Sequence, residues 1–560
     1  MRTPGVVTIA GMIAQALILS ACVTNEVGRA QELRDGARAY RGKGKAEAQL
    51  SHSNDEGDGW TVLVRSADTR VVYVSSRRGS DRNDGLSEHS PKATIAAGKR
   101  LLRHGHPDWL LLRKGDVWKE SIGQWKTSGR SIQERMVIGS YGHGERPLLE
   151  TGNTSAFRTS GGGGSPETID WIAIVGMHFR ADGHTGHGGE PGIQLLRGGR
   201  GVLVEDCMIE RYFTNIVVQG LDGPHHDLII RRSVIVDAFN VGHSGHPQGI
   251  YLDNTHGVIV EGNVIDHNGW SATIRGAVPD IYRHNVYVDY NNSGVAFIGN
   301  VVASGSSHGI MMRPGGVAND NLFVRNSIAL LLGARANPRA GGVRAEAKRN
   351  VILHGKDIDA RTPRGWGIDG ENLHVAVIAD NVIADAAGGQ PMAITITGAP
   401  ERRNNIVIQN NVVLDWGGAI DLRDPGLADT TFVGNDIQDT RSSAPLLMYY
   451  PSAPGPRVVF ANNRFLSRRA PTDAWMQLRG RSLSLPAWKD AVGDTSSASL
   501  EVAYASKNVS VAAYHRSLGR AASLDAFMHE ARKQSHDHWQ PEYTAAAVNE
   551  YVRKSLGTVR

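Results

Sequence analysis

The chain has 560 residues, of which 40% are hydrophobic and 21% charged, a globular balance rather than a disordered one. Two cysteines exclude a disulfide scaffold and a four-cysteine zinc site. The net charge of +5 is spread over a chain of mixed signs; it is thin support for nucleic acid, which is not expected as a partner, and it fits another acidic polymer equally well. Glycine is high, 66 of 560 residues, against a usual share of about 7%. It shows no three-residue period, so it marks tight turns and not a collagen-like helix. Length alone would suggest three or four domains at about 150 residues each, unless a repeat overrules it.

Residues 1–21 read as a lipoprotein signal peptide. Arg2 supplies a short positive start, and Val6 to Leu19 is largely apolar but short for a membrane span. The run ends in Leu19-Ser20-Ala21-Cys22, which resembles the lipobox of bacterial lipoproteins, whose cysteine is lipidated and becomes the mature N-terminus. The resemblance implies a lipid on Cys22 and a membrane held through that anchor. Val23, where an aspartate would signal inner-membrane retention, implies an outer-membrane lipoprotein facing the periplasm or the surface. Residues 22–58 are polar and charged and read as a flexible tether. Cys207 is then left without a partner and reads as a small core residue.

The body is a repeat. IAIVGMHF, VLVEDCMI, LIIRRSVI, VIVEGNVI, VAFIGNVV, NLFVRNSI, AKRNVIL, VIADNVI, IVIQNNVV, TFVGNDI and VFANNRF align on Gly176, Asp206, Ser233, Asn263, Asn300, Asn326, Asn350, Asn381, Asn411, Asn435 and Asn463, at spacings of 24 to 37 residues. Periods of this size signal a solenoid. Alternating apolar positions followed by a polar residue or glycine build each unit from short strands. Asparagine tolerates the left-handed backbone region and can bond to its counterpart one coil above, which suits a recurring turn. No LxxLxL pattern recurs, which excludes a leucine-rich repeat.

Over roughly residues 70 to 470 these units resemble the right-handed parallel β-helix of the pectate-lyase-like superfamily. VVYVSSRRGSDRNDGLSEHSPKATIAAGKRLL and DWLLLRKGDVW resemble its N-terminal cap and first coil. The expected architecture is therefore all-β: a cap and first coil over 59–150, a right-handed parallel β-helix of about 11 coils over 151–470, and a C-terminal segment over 471–560. In that last segment SLDAFMHEARKQ and PEYTAAAVNEYVRKSL read as amphipathic helices that cover the open end. The expected molecule is a monomer.

Three strands after the asparagine turns align without gaps: Gln248 to Asp253, His284 to Asp289 and His308 to Arg313. Alternation points Ile250, Leu252, Val286, Val288, Ile310 and Met312 inward. Tyr251, Tyr287 and Met311 then form one outward column, and Asp253, Asp289 and Arg313 a second. Gln248, His284 and His308 stack at the strand entrances. Nearby loops add His243, His246, His267, Asn268 and Trp270, and the insertion between Gly269 and Tyr282 adds Arg275 and Asp280.

Removing the proton α to a carboxylate needs a cation, a base and an acid. Arg313 fits the first, His284 or His308 the second, and Tyr251 or Tyr287 the third. Gln248, Asp253, Asp289, His246 and Trp270 are candidates for binding the substrate. No HxH or HExxH spacing marks a metal site; calcium would need clustered carboxylates, of which Asp253 and Asp289 are only a start. No cofactor is required by these residues. The expected function is a polysaccharide lyase or C5-epimerase on an acidic, uronic-acid-containing polysaccharide. The alternatives are an inverting glycoside hydrolase on the same fold or a non-catalytic carbohydrate-binding envelope lipoprotein. The DPHD motif of alginate epimerases is absent.

Overall fold

The computed structural model describes residues 59–557 apart from 160–167, 222, 243–244, 336–341, 399–403, 428, 452–457 and 471. The signal peptide, Cys22, the tether and His243 lie outside the described residues.

Three long sheets run side by side, with 15, 14 and 14 strands. In each, a strand pairs in parallel with its counterpart one coil further along the chain; only the last pair of the second sheet, Met476–Leu478 with Arg481–Leu483, is antiparallel. The chain is a right-handed parallel β-helix. Identical registers on successive coils stack like side chains into columns. On the first sheet one such column runs Ile174, Val204, Ile230, Val260, Phe297, Ala318, Ala347, Ile378, Ile408, Phe432 and Phe460. All of these are buried and face the common core.

The 11 coils expected over 151–470 are present, and three more precede them. Fourteen strands lie on the path of the first sheet, because Val71–Val74, Trp109–Arg113 and Met136–Tyr141 already belong to it. These coils carry no asparagine at the turn, so the repeat marker does not show them. The helix Ile95–Lys99, capped by Thr94 Oγ1 on the Ala97 amide, closes this end. Gly98 lets it approach: an added Cβ would lie 2.7 Å from Val74 Cγ2 and 2.9 Å from Leu110 Cδ1.

The recurring turn splits two tasks that the sequence reading gave to one residue. The left-handed position is held by Gly176, Asp206, Arg232, Gly262, Gly299, Asp320, Arg349, Asp380, Asn410, Gly434 and Asn462, all with φ between 44° and 69°. The next residue carries the ladder. Cys207 donates its amide to Ser233 Oγ, and Asn263, Asn300, Asn321, Asn350, Asn381, Asn411, Asn435 and Asn463 continue the column. Three aligned positions are corrected accordingly. Gly176 and Asp206 are turn residues, and Asn321, not Asn326, belongs to this ladder. Asn326 ends a second buried ladder of Asn215, Asn268, Asn285 and Asn326 at the corner before the second sheet.

The C-terminal helices form as expected but dock elsewhere. The open end is covered by Leu485–Val492, whose Trp488 packs on Phe460 and Tyr449. The helices Val511–Ser517, Leu524–Ala531 and Ala545–Ser555 lie along the outer face of the third sheet. Tyr514, Phe527, Val548 and Val552 cover a stripe that includes Val236, Val264, Val301, Leu322, Val351, Val382 and Val412. Strands such as Val234–Val236 and Leu322–Val324 are apolar on both faces, as a sheet buried on both sides requires. Arg532 pins the tail by pairing with Asp237 at 2.9 Å and Asp266 at 2.5 Å.

Candidate functional site

Among the described residues no helix lies over the outer face of the second sheet, and its polar residues fall into three columns. The register aligns Tyr251 with Tyr287, Met311, Leu331, Asp369, Thr395 and Asp421. A second column passes through Gly333, Glu371 and Thr397, in line with Asp253, Asp289 and Arg313 at the ends of the preceding strands. At the strand entrances Gln248 pairs with His284, and His308 with Ile328 and then Trp366. The expected columns of residues 248–313 are therefore present. Alternation breaks at the entrance because Asn285 turns inward to its ladder while Val286 also faces the core.

His284 and His308 form the best-defined element of this face. Their Nδ1 atoms are 3.1 Å apart, and Ser307 Oγ lies 2.8 Å from the first and 3.0 Å from the second. Ser307 also lies within donating distance of the Arg283 and Ile281 carbonyls. Two N–H groups, or two lone pairs, facing each other at this distance would repel, so the neutral rings settle into opposite tautomers. One then presents a lone pair at Nε2, the other an Nε2–H, and neither Nε2 has a hydrogen-bond partner among the described residues. Both rings are only 5% exposed. Burial, with the charge of Arg364 next, pushes His308 down to about 3; burial and the neighbouring His308 hold His284 well below the usual imidazole value. The pair is thus neutral at pH 7.

This has a consequence for stability. Between about pH 3 and 6.5 the unfolded chain binds protons at these rings that the folded pair refuses, so stability falls as pH drops through that window. A His284→Asn, His308→Asn double variant is expected to show a shallower loss of urea midpoint between pH 7 and pH 4 than the wild type. An unchanged slope would show that the rings are not held neutral.

The tyrosines stand beside the pair. Tyr251 and Tyr287 have ring centroids 5.4 Å apart, and Tyr287 meets the edge of His284 at 5.5 Å. Burial first, and then nearby carboxylates, raise both phenols well above their ordinary value, so they are held as proton donors. The Tyr251 hydroxyl donates to Asp289 Oδ2 at 3.4 Å. Arg313 is not presented to solvent as an open fork. Its guanidinium lies between the rings of Tyr287 (4.9 Å) and Tyr290 (4.7 Å) and pairs with Asp289 at 3.6 Å.

The other expected residues sit as follows. Gln248 is buried; its Oε1 accepts from the His284 amide and its Nε2 donates to the Tyr282 carbonyl, so it fastens the entrance. Asp253 accepts from Asn291. His246 stacks on Tyr282 at 5.4 Å at the rim. Trp270 is not on this face. It lies at the corner after the third sheet, stacked on His267 at 4.0 Å with Lys356 over its ring and its indole N–H on the Ser304 carbonyl. The insertion is held by Arg283, which donates to the carbonyls of Asn240, Val278 and Gly242. Among the described residues no group of three or more His, Cys, Asp or Glu side chains is placed to hold a metal ion.

Sequence reasoning missed the next polar rung. Trp366-Gly-Ile368-Asp369-Gly-Glu371 aligns with His284-Asn-Val286-Tyr287-Val-Asp289, but the apolar rung Ile328–Gly333 between them hides the continuation. Asp369 is 2% exposed and accepts from Thr395 Oγ1 at 2.5 Å. Burial, then the charge of Glu371, pushes its carboxyl up to about 7. It lies about 14 Å from Tyr287, three rungs of roughly 4.8 Å.

Fold and face together define a parallel β-helix protein with an open, ionisable sheet face. No family model and no curated protein sequence matches the chain. Among solved structures it is similar to a lacto-N-biosidase from Eubacterium ramulus (15% identity, 71% of this chain and 67% of the other, TM-score 0.39). It is similar also to a rhamnogalacturonan lyase (13% identity, 61% and 87%, TM-score 0.41) and to PfbA, a surface adhesin of Streptococcus pneumoniae (12% identity, 68% and 86%, TM-score 0.41). These likenesses concern the fold, and the reading of function below rests on the site.

Proposed function

We propose that this protein is a lyase or C5-epimerase that acts on an acidic, uronic-acid-containing polysaccharide by abstracting the proton α to the carboxylate. The observation that carries this reading is the buried His284–His308 pair, joined Nδ1 to Nδ1 at 3.1 Å, with Tyr287 against His284 and Tyr251 against Tyr287; opposite tautomers leave this pair one Nε2 lone pair and one Nε2–H. The lone pair takes the C5 proton. In a lyase the electrons left on carbon form the new C4–C5 double bond as the glycosidic oxygen departs with a proton from a tyrosine or the second imidazole. In an epimerase the carbon is reprotonated from its other face. Arg313 over Tyr287 would stabilise a phenolate after transfer. Incubation with uronate polymers should produce an ultraviolet-absorbing unsaturated end for the lyase, or solvent deuterium at C5 without cleavage for the epimerase.

A specific observation supports a hydrolase as the second reading. Burial pushes the Asp369 carboxyl up to about 7, so a large fraction keeps its proton near neutral pH, as a general acid requires. Asp421 stands two rungs further along the same column, about 9.6 Å by rung spacing, at the edge of the roughly 6.5–9.5 Å of inverting enzymes and just beyond it. Asp253 and Asp289 end adjacent strands, about 4.8 Å apart, which is short of that range. New reducing ends without the chromophore would select the hydrolase. Binding without new ends would select a carbohydrate-binding role.

The same proposal includes the address: a Cys22-lipidated outer-membrane protein with its solenoid on a tether. A Cys22→Ala variant is expected to leave the membrane fraction and to be processed differently. Membrane association unchanged from wild type would remove the anchor and leave the β-helix as described.

A further inference from the structure

The arginines along this face differ in what they hold. Arg313 pairs with Asp289, Arg335 with Glu371 and Arg423 with Asp421. Arg364 has no carboxylate partner among the described residues. Its guanidinium stacks on the Trp366 ring at 4.9 Å, one N–H donates to the Pro363 carbonyl, and Nε is buried with no hydrogen-bond partner. Its backbone is fixed as well, since the Arg364 amide donates to Asp357 Oδ1 at 2.6 Å. The side chain lies near enough to His308 and to Asp369 for its charge to act on both. A half-buried guanidinium that is held flat on an indole and meets no carboxylate among the described residues is suited to an anion.

We propose that Arg364, seated on Trp366, is the carboxylate-binding site of this groove, and that a substrate uronate docks there between His308 and Asp369. This rests on the uronate reading above and moves the cation's task from Arg313, whose charge is met by Asp289 and two tyrosine rings, to a residue outside the aligned strands. The planar fork can take both carboxylate oxygens, which an ammonium cannot reproduce. Asp369, whose carboxyl is pushed up to about 7, can add a donor in its protonated form where an ionised carboxyl would repel the ligand. His308 and Trp366 are two rungs apart in the entrance column, about 9.6 Å, a span that a single sugar ring with its carboxylate can bridge.

The test uses D-galacturonate and D-glucuronate against their methyl esters, measured by calorimetry on the full chain at pH 7. The wild type should bind at least one acid at least about tenfold more tightly than its ester. Arg364→Gln should abolish that preference and Arg364→Lys should retain only part of it, both with the wild-type melting temperature to within a few degrees. Arg335→Gln, which removes an exposed arginine from the same face, should keep the preference. No preference in the wild type, or a preference intact in Arg364→Gln, would overturn the assignment. The ultraviolet assay on polymers reports separately on the chemistry: a chromophore with an intact preference in Arg364→Gln would leave the lyase standing and remove Arg364, and an acid preference without chromophore would do the reverse.

Discussion

His308→Ala is expected to fold and to turn over a uronate polymer at least about 100-fold more slowly, the usual scale for a positioned acid or base. The substitution removes one Nε2 and also the ring that sets the tautomer of the other, because His284 Nδ1 is left with Ser307 alone. KM should change little, since the lost group meets only the reacting proton. Added imidazole that restores part of the rate would separate a missing base from a collapsed groove. Tyr287→Phe should also be folded and slow, for it deletes a phenol held protonated beside the same rings. Full activity in both variants would move the reacting centre off these rungs.

The largest effect on stability is expected from the asparagine ladder. Asn350 is fully buried. Its Nδ2 donates to the Ala318 carbonyl at 2.8 Å and to Asn381 Oδ1 at 3.0 Å, and its Oδ1 accepts from the Asn321 amide and from Asn321 Nδ2, both at 3.0 Å. Asn350→Ala takes this partner from the Ala318 carbonyl and the Asn321 amide, and one of two partners from Asn321 Nδ2 and Asn381 Oδ1, in a dry interior. At about 1–3 kcal/mol for each buried unsatisfied group, the loss should reach about 4 kcal/mol in urea denaturation. Asn350→Asp should be worse than alanine, because a carboxylate cannot donate to Ala318 and places a charge in the column. A cost below about 1 kcal/mol would mean that the ladder exchanges its bonds for water.

Much of this protein is local, and local order is written in short spacings. Each coil of the β-helix buries the same face against the one before it, so the strand period and the recurring turn show directly in the residue order. The columns of Tyr251 and Tyr287, and of Asp253, Asp289 and Arg313, follow from alternation alone once the strands are aligned. Where two side chains share one turn, the order of residues does not say which does which. Only the backbone shows that Asp206 and Arg349 take the left-handed position while their neighbours carry the ladder.

What depends on coils meeting distant segments was decided by the tertiary structure. The C-terminal helices are legible as amphipathic, but their choice of the third sheet over the open end follows from an apolar stripe that exists only when strands such as Val234–Val236 and Val351–Leu353 are stacked. Trp270 reads as a neighbour of the site by sequence, and a coil corner carries it to another edge. Arg364, Trp366 and Asp369 fall on the face of His308 across an apolar rung, which breaks the sequence pattern without breaking the stack. Residue order determines the columns one coil at a time. Burial, and with it the neutral imidazoles, the raised carboxyl of Asp369 and the guanidinium of Arg364 seated on Trp366, comes from loops and rungs that only the folded solenoid brings together.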